Sequence, residues 1–218
     1  MRHLIRLIVL FAVLTGIAAC HPSATAPSRL LLEHFQPLPA VDSICFIVAA
    51  EGEQDTAFRD TIPNGLFFAT LDTALLNEIN YVADSATALV LGRHRFALND
   101  SLEACLVDIR QFWFQHQSLL LFNKNRNAFS GRVTVAEWYG GDGGQILTGS
   151  WLLDYDGDGD LDLVRRIMEH SILLQGDEAR DTTYESAMLL RWEGGRFREG
   201  PLSENSLDPK QFPIPTNW

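Results

Sequence analysis

The chain has 218 residues, with 17 Lys plus Arg against 28 Asp plus Glu and a formal net charge of −11. No basic stripe runs along it, which argues against a nucleic-acid partner, because phosphate contacts need gathered cations. The same acidity disfavours attachment of the domain surface to an anionic bilayer. The length suits one domain with a sizeable core, or two small ones.

Residues 1–6 carry Arg2 and Arg6 and no acid, and Leu7 to Leu14 form a compact apolar run. The run is far short of the roughly 20 residues needed to span a bilayer. Small residues follow in Thr15-Gly16-Ile17-Ala18-Ala19-Cys20. A charged start, an apolar middle and small residues at a cut site form an export pattern. Ile17-Ala18-Ala19-Cys20 resembles the lipobox of bacterial lipoproteins. The resemblance implies removal of residues 1–19 as a signal peptide and acylation of Cys20, with the lipid bilayer as partner. It also implies a cell-envelope location. His21 in place of Asp favours the outer membrane over the inner one under the enterobacterial sorting pattern. Residues 20–40 read as a lipidated N-terminus and tether, since 21–28 are small, polar and proline-bearing.

A β-rich globular domain is expected over 41–200, and 201–218 reads as a loosely packed, proline-containing tail. A short helical turn is allowed around Leu30–Phe35. Val41 to Ala50 predicts a strand, and Ile62-Pro63-Asn64-Gly65 a turn. Asp72 is placed to cap a helix whose apolar face is Leu75, Leu76 and Ile79. Ala88–Leu91 and Phe96–Leu98 look like strand pieces. Leu106 to Phe122 is too long for one ordinary strand, so a bend or bulge is expected. Within it His116, Ser118, Leu120 and Phe122 alternate with Gln117, Leu119 and Leu121. Further strands are predicted at 132–139, 146–153, 163–168 and 187–192. A loop is predicted at 176–185, and Gly194-Gly195 is a hairpin turn. The fold class is therefore mainly β, antiparallel, with one or two short helices. No block repeats at a fixed period, so the chain is not a complete propeller.

Export would place Cys45 and Cys105 where a disulfide can persist. Two buried free thiols satisfy the same pattern. No neighbouring cysteine or placed histidine marks a thiol-based site.

The strongest chemical signal is Asp154-Tyr155-Asp156-Gly157-Asp158-Gly159-Asp160-Leu161-Asp162. Carboxylates at alternate places repel one another unless a cation joins them, and glycines let the chain curl round a centre. The segment resembles the calcium loop of EF-hands, dockerins and integrin-type FG-GAP repeats. The matching places are Asp154, Asp156, Asp158, Gly159 and Asp162. The resemblance implies structural calcium, a backbone carbonyl contributed by Asp160, and Leu161 pointing into the core. Arg165 stands where an EF-hand has a bidentate Glu, and the flanks read as strands, which is closer to the FG-GAP setting.

The histidines show no metal-ligand spacing and the serines no nucleophile elbow, so the chain leans away from enzymes. A carboxylate-based hydrolase stays open as one alternative. A surface binding or scaffold module for an envelope protein or glycan is the other, with Trp138, Tyr139, Trp151 and Trp192 as candidate contacts.

Overall fold

The computed structural model describes residues 26–48, 59–77, 85–141, 143–175, 178–200 and 207–214. Among them eleven strands join one sheet. Its spine is a meander of β4 (Leu89–Ala97), β5 (Leu102–Gln111), β6 (Phe114–Asn123) and β7 (Ala128–Gly141), then β8 (Gly144–Leu153), β9 (Asp162–Gln175), β10 (Glu178–Glu193) and β11 (Arg196–Glu199). Each runs antiparallel to the one before. The short β1 (Gln36–Pro37) lies parallel to β4, and β3 (Asp60–Thr61) antiparallel to it. The sheet is thus mainly antiparallel with a parallel addition, and it forms an open array rather than a propeller.

The sheet forks. β7 follows β6 from Ala128 to Trp138 but meets β8 only between Glu137–Gly141 and Gly144–Thr148. Beyond the fork β8 takes β2 (Ser43–Phe46) as its neighbour. The two leaves then fold over one another. Ala104, Leu106, Leu119, Leu121 and Ala136 of the first leaf share a core with Leu152, Leu163 and Leu190 of the second. Phe46 enters the same core from β2.

The outer face of the first leaf is covered by helices: α1 (Pro27–Leu32), α2 (Asn64–Thr70) and α3 (Thr73–Asn77). Leu31, Phe67, Leu71 and Leu75 pack there on Val90, Val107, Ile109, Leu120 and Phe122. Each such side chain contributes roughly 1.5–3 kcal/mol when fully buried. The outer face of the second leaf is covered by residues 207–214, through Phe212 on Val164 and Leu189 and Ile214 on Leu147 and Met168.

Several local expectations shift. The Leu106–Phe122 run is a hairpin, not a bent strand: Phe112 turns with φ of 53° and stands exposed beside Trp113. From Phe114 on, the expected alternation holds, because His116, Ser118 and Leu120 sit opposite Ile109, Val107 and Cys105 below the helices. Asn64 opens a helix instead of sitting in a turn, since Pro63 ends the preceding extended segment at its N-terminus. Asp72 does cap α3, its Oδ1 accepting the Leu75 N–H at 2.8 Å. Ile79 lies outside the described residues. The 176–185 loop shrinks, for β10 begins at Glu178 and its Arg180–Glu185 stretch pairs with β9. Alternation of small polar residues there gave no apolar signal, yet the hairpin partner supplies the backbone bonds.

Residues 207–214 are also less loose than their prolines suggest. The Phe212 carbonyl accepts a bond from Arg166 at 2.7 Å, and the Phe212 and Trp151 ring centroids lie 5.3 Å apart. Phe212→Ala is expected to lower stability by about 3 kcal/mol, the scale of a deleted core aromatic. Denaturant unfolding measures it; a change below about 0.5 kcal/mol would show that this segment does not support the second leaf.

Candidate metal centre and a buried polar relay

The acidic loop joins β8 to β9, whose terminal residues Leu153 and Asp162 pair across it. Its curl is made by the aspartates themselves. Asp154 accepts the Gly157 N–H on Oδ1 at 2.8 Å and the Gly159 N–H on Oδ2 at 3.1 Å. Asp156 accepts from the Asp158 N–H at 3.3 Å, and Asp158 from the Asp160 N–H at 2.9 Å. Gly157 and Gly159 take φ of +82° and +92°, a region costly for any side chain. Leu161 packs against the core between the leaves and ties the loop down.

This geometry draws carboxylate oxygens of Asp154, Asp156 and Asp158 within 4.8 Å of one another. Asp160 and its side chain are outside that group and exposed. Asp162 is different again. It is only 4% exposed, and its Oδ1 accepts the Trp192 N–H at 2.9 Å. Its Oδ2 is buried with no hydrogen-bond partner. Burial raises the Asp162 pKa, the Trp192 N–H opposes this, and the charges of Asp156 and Asp158 add to the rise. A buried carboxylate oxygen without a partner is unfavourable, and so are three gathered carboxylates. One hard cation would relieve the repulsion among Asp154, Asp156 and Asp158, and the donor set is all oxygen. The residues therefore fit a divalent metal ion. Asp154, Asp156 and Asp158 form the candidate ligand cluster; Asp160 and Asp162, also expected as ligands, are not brought into it.

Cys45 is exposed on β2 opposite Trp151, and Cys105 is buried below the helices opposite Leu120. Both are free thiols, so the bridge allowed by the sequence is not formed. Burial pushes the Cys105 thiol well above its usual range, with Glu103 adding to the rise and Arg95 opposing it. Cys20 lies outside the described residues.

A second constellation was not recognised from the sequence. His116, Ser118 and Glu137 meet on the helix-covered face. His116 Nε2 lies 2.6 Å from Ser118 Oγ, and Nδ1 lies 3.1 Å from Glu137 Oε1. With Glu137 ionised, Nδ1 carries the proton and Nε2 accepts from the Ser118 hydroxyl. The order matches a Ser–His–acid relay. Nucleophilic attack, however, needs a carbonyl at Ser118 Oγ, and both Ser118 and His116 have no exposed surface. The relay instead satisfies polar groups inside the core. The i, i+2 spacing of His116 and Ser118 was a readable signal for a shared face; the partner Glu137 came only with register.

No family model, curated protein or solved structure matches the chain.

Burial lowers the His116 pKa; Glu137 pulls it up by hydrogen bond and charge, Arg132 pushes it down and Asp108 pulls it up. The unfolded state then binds the proton first as pH falls. Stability is expected to be full above the ordinary histidine value and to decline on acidification below it. The slope from this group approaches about 1.4 kcal/mol per pH unit. Melting from pH 7.5 to 5 checks this against His116→Gln; an unchanged pH slope in the variant would remove His116 as the cause.

Proposed function

We propose that the chain is a lipid-anchored envelope protein whose domain is stabilised by calcium in the Asp154–Asp162 loop. The observation that carries the metal reading is the convergence of Asp154, Asp156 and Asp158 in one loop, which ends at Asp162 with its buried, unpartnered Oδ2. Calcium is favoured over magnesium because the ligands are several carboxylates on a flexible, glycine-bearing loop. The loop ties the start of β9 to the end of β8, so the ion would act on the fold rather than on a substrate. Binding to the folded state alone raises stability by mass action. The exported setting suits a weak site, since extracellular modules bind at about 10⁻⁴–10⁻³ M and remain filled there.

The anchoring half of the reading rests on Ile17-Ala18-Ala19-Cys20 and the charged, apolar leader before it. An acylated Cys20 would hold the domain at the bilayer, with the outer membrane favoured by His21. The role is that of an anchored module toward an envelope protein or glycan, with no catalytic activity assigned.

Calorimetric titration with calcium is expected to show one binding event, and chelator to lower the melting temperature. Asp154→Ala with Asp158→Ala should abolish both effects. Asp162→Asn, which keeps an acceptor for the Trp192 N–H, should keep the fold and weaken calcium binding about tenfold. Absence of heat and an unchanged melt in chelator would sink the metal reading.

Intact-mass measurement of protein extracted from membranes tests the anchor. The expected mass begins at Cys20 and carries acyl chains; cleavage elsewhere or an unmodified cysteine would overturn it.

A further inference from the structure

In a chain of net charge −11, one cavity collects arginines. It has a volume of about 740 Å³ and lies where the turn between β6 and β7, the start of α3 and the β10–β11 hairpin meet. Arg126, Arg132, Arg196 and Arg198 line it, and Asp72 is the one carboxylate among its described lining residues. Asp72 already spends Oδ1 on the α3 cap.

Two of these arginines are held in place by neutral groups. The Asn123 side chain accepts the Arg126 N–H at 2.9 Å and so shapes the turn that presents Arg126. Arg132 donates to the Leu75 carbonyl at 3.2 Å and to Thr134 Oγ1 at 3.3 Å. Among the described residues, Arg126, Arg196 and Arg198 have no carboxylate partner. Glu193 stands opposite Arg196 in the hairpin register, but no ion pair joins them. Arg198 faces Arg191, a like-charge pair that costs stability across a sheet. A protein with surplus acid could pair Arg126, Arg196 and Arg198 with carboxylates, and among the described residues it does not.

A concave wall on which one sign of charge predominates, here four arginines to one aspartate, focuses potential and raises the local concentration of counter-ions. Guanidinium forks match phosphate oxygens two at a time. The acidic remainder of the chain opposes a nucleic acid, and the four arginines line a single cavity, so the cavity suits one phosphoryl group at a time. We propose that this cavity binds a phosphate-bearing anion, either free phosphate or the phosphodiester of a lipid headgroup. The metal loop takes no part in it.

Two probes separate the sources: inorganic phosphate followed by calorimetry at constant ionic strength without added calcium, and phosphatidylglycerol vesicles compared with phosphatidylcholine vesicles. The native chain should bind phosphate, or prefer the phosphatidylglycerol vesicles, and the first result alone assigns the free anion. Arg196→Gln with Arg198→Gln, on an exposed edge strand, should weaken the response about tenfold while the melting temperature does not fall. Arg126→Gln, on a separate turn, should weaken it independently. No response to either probe, or equal responses from the native and substituted chains, overturns the proposal.

Discussion

Strands β5 and β6 are buried along almost their whole length on both faces. A strand of that kind needs a layer above and a layer below, since each uncovered apolar side chain would leave its transfer free energy unrealised. The rest of the molecule is arranged to meet this demand. Three short helices supply one cover, and the fork at Glu137–Gly141 swings the second leaf round to supply the other. The second leaf in turn needs its own outer cover, which residues 207–214 provide.

Polar chemistry has been fitted into this frame at two depths. Inside it, His116, Ser118 and Glu137 satisfy one another under the helices, which lets the fork carry polar side chains without orphaned donors. At its rim, the acidic loop is anchored by Leu161 on one side and by the Asp162–Trp192 bond on the other. The loop therefore couples two things. Its curl depends on glycines and on its own carboxylates, while its position depends on the core between the leaves. An ion there would join a local turn to the packing of both leaves.

Local signals were legible where a single segment settles its own state. The alternation of β6, the Asp72 cap, the Gly194-Gly195 turn and the curl of the acidic loop all depend on neighbours within a few residues. Legibility failed where a distant partner decides. The Phe112-Trp113 turn carries no glycine, proline or asparagine, so the hairpin was hidden in an aromatic run. Arg180–Glu185 has no apolar stripe, and only β9 makes it a strand. Phe212 and Ile214 sit among prolines that suggested a loose tail, whereas the exposed outer face of the second leaf gave them a place to bury.

The chain by itself determined its β-rich class and the acidic loop with its register of Asp and Gly. Each rests on spacing within one segment, and short spacing sets local backbone geometry directly. Tertiary structure decided the fork, the burial of the His116 relay, the separation of Cys45 from Cys105 and the burial of Asp162 against Trp192. It also gathered Arg126 and Arg132 with Arg196 and Arg198, from parts of the chain that show no basic stripe. Such groupings follow from strand register and leaf packing, which bring residues far apart in sequence to one surface and leave no mark in the order of the residues.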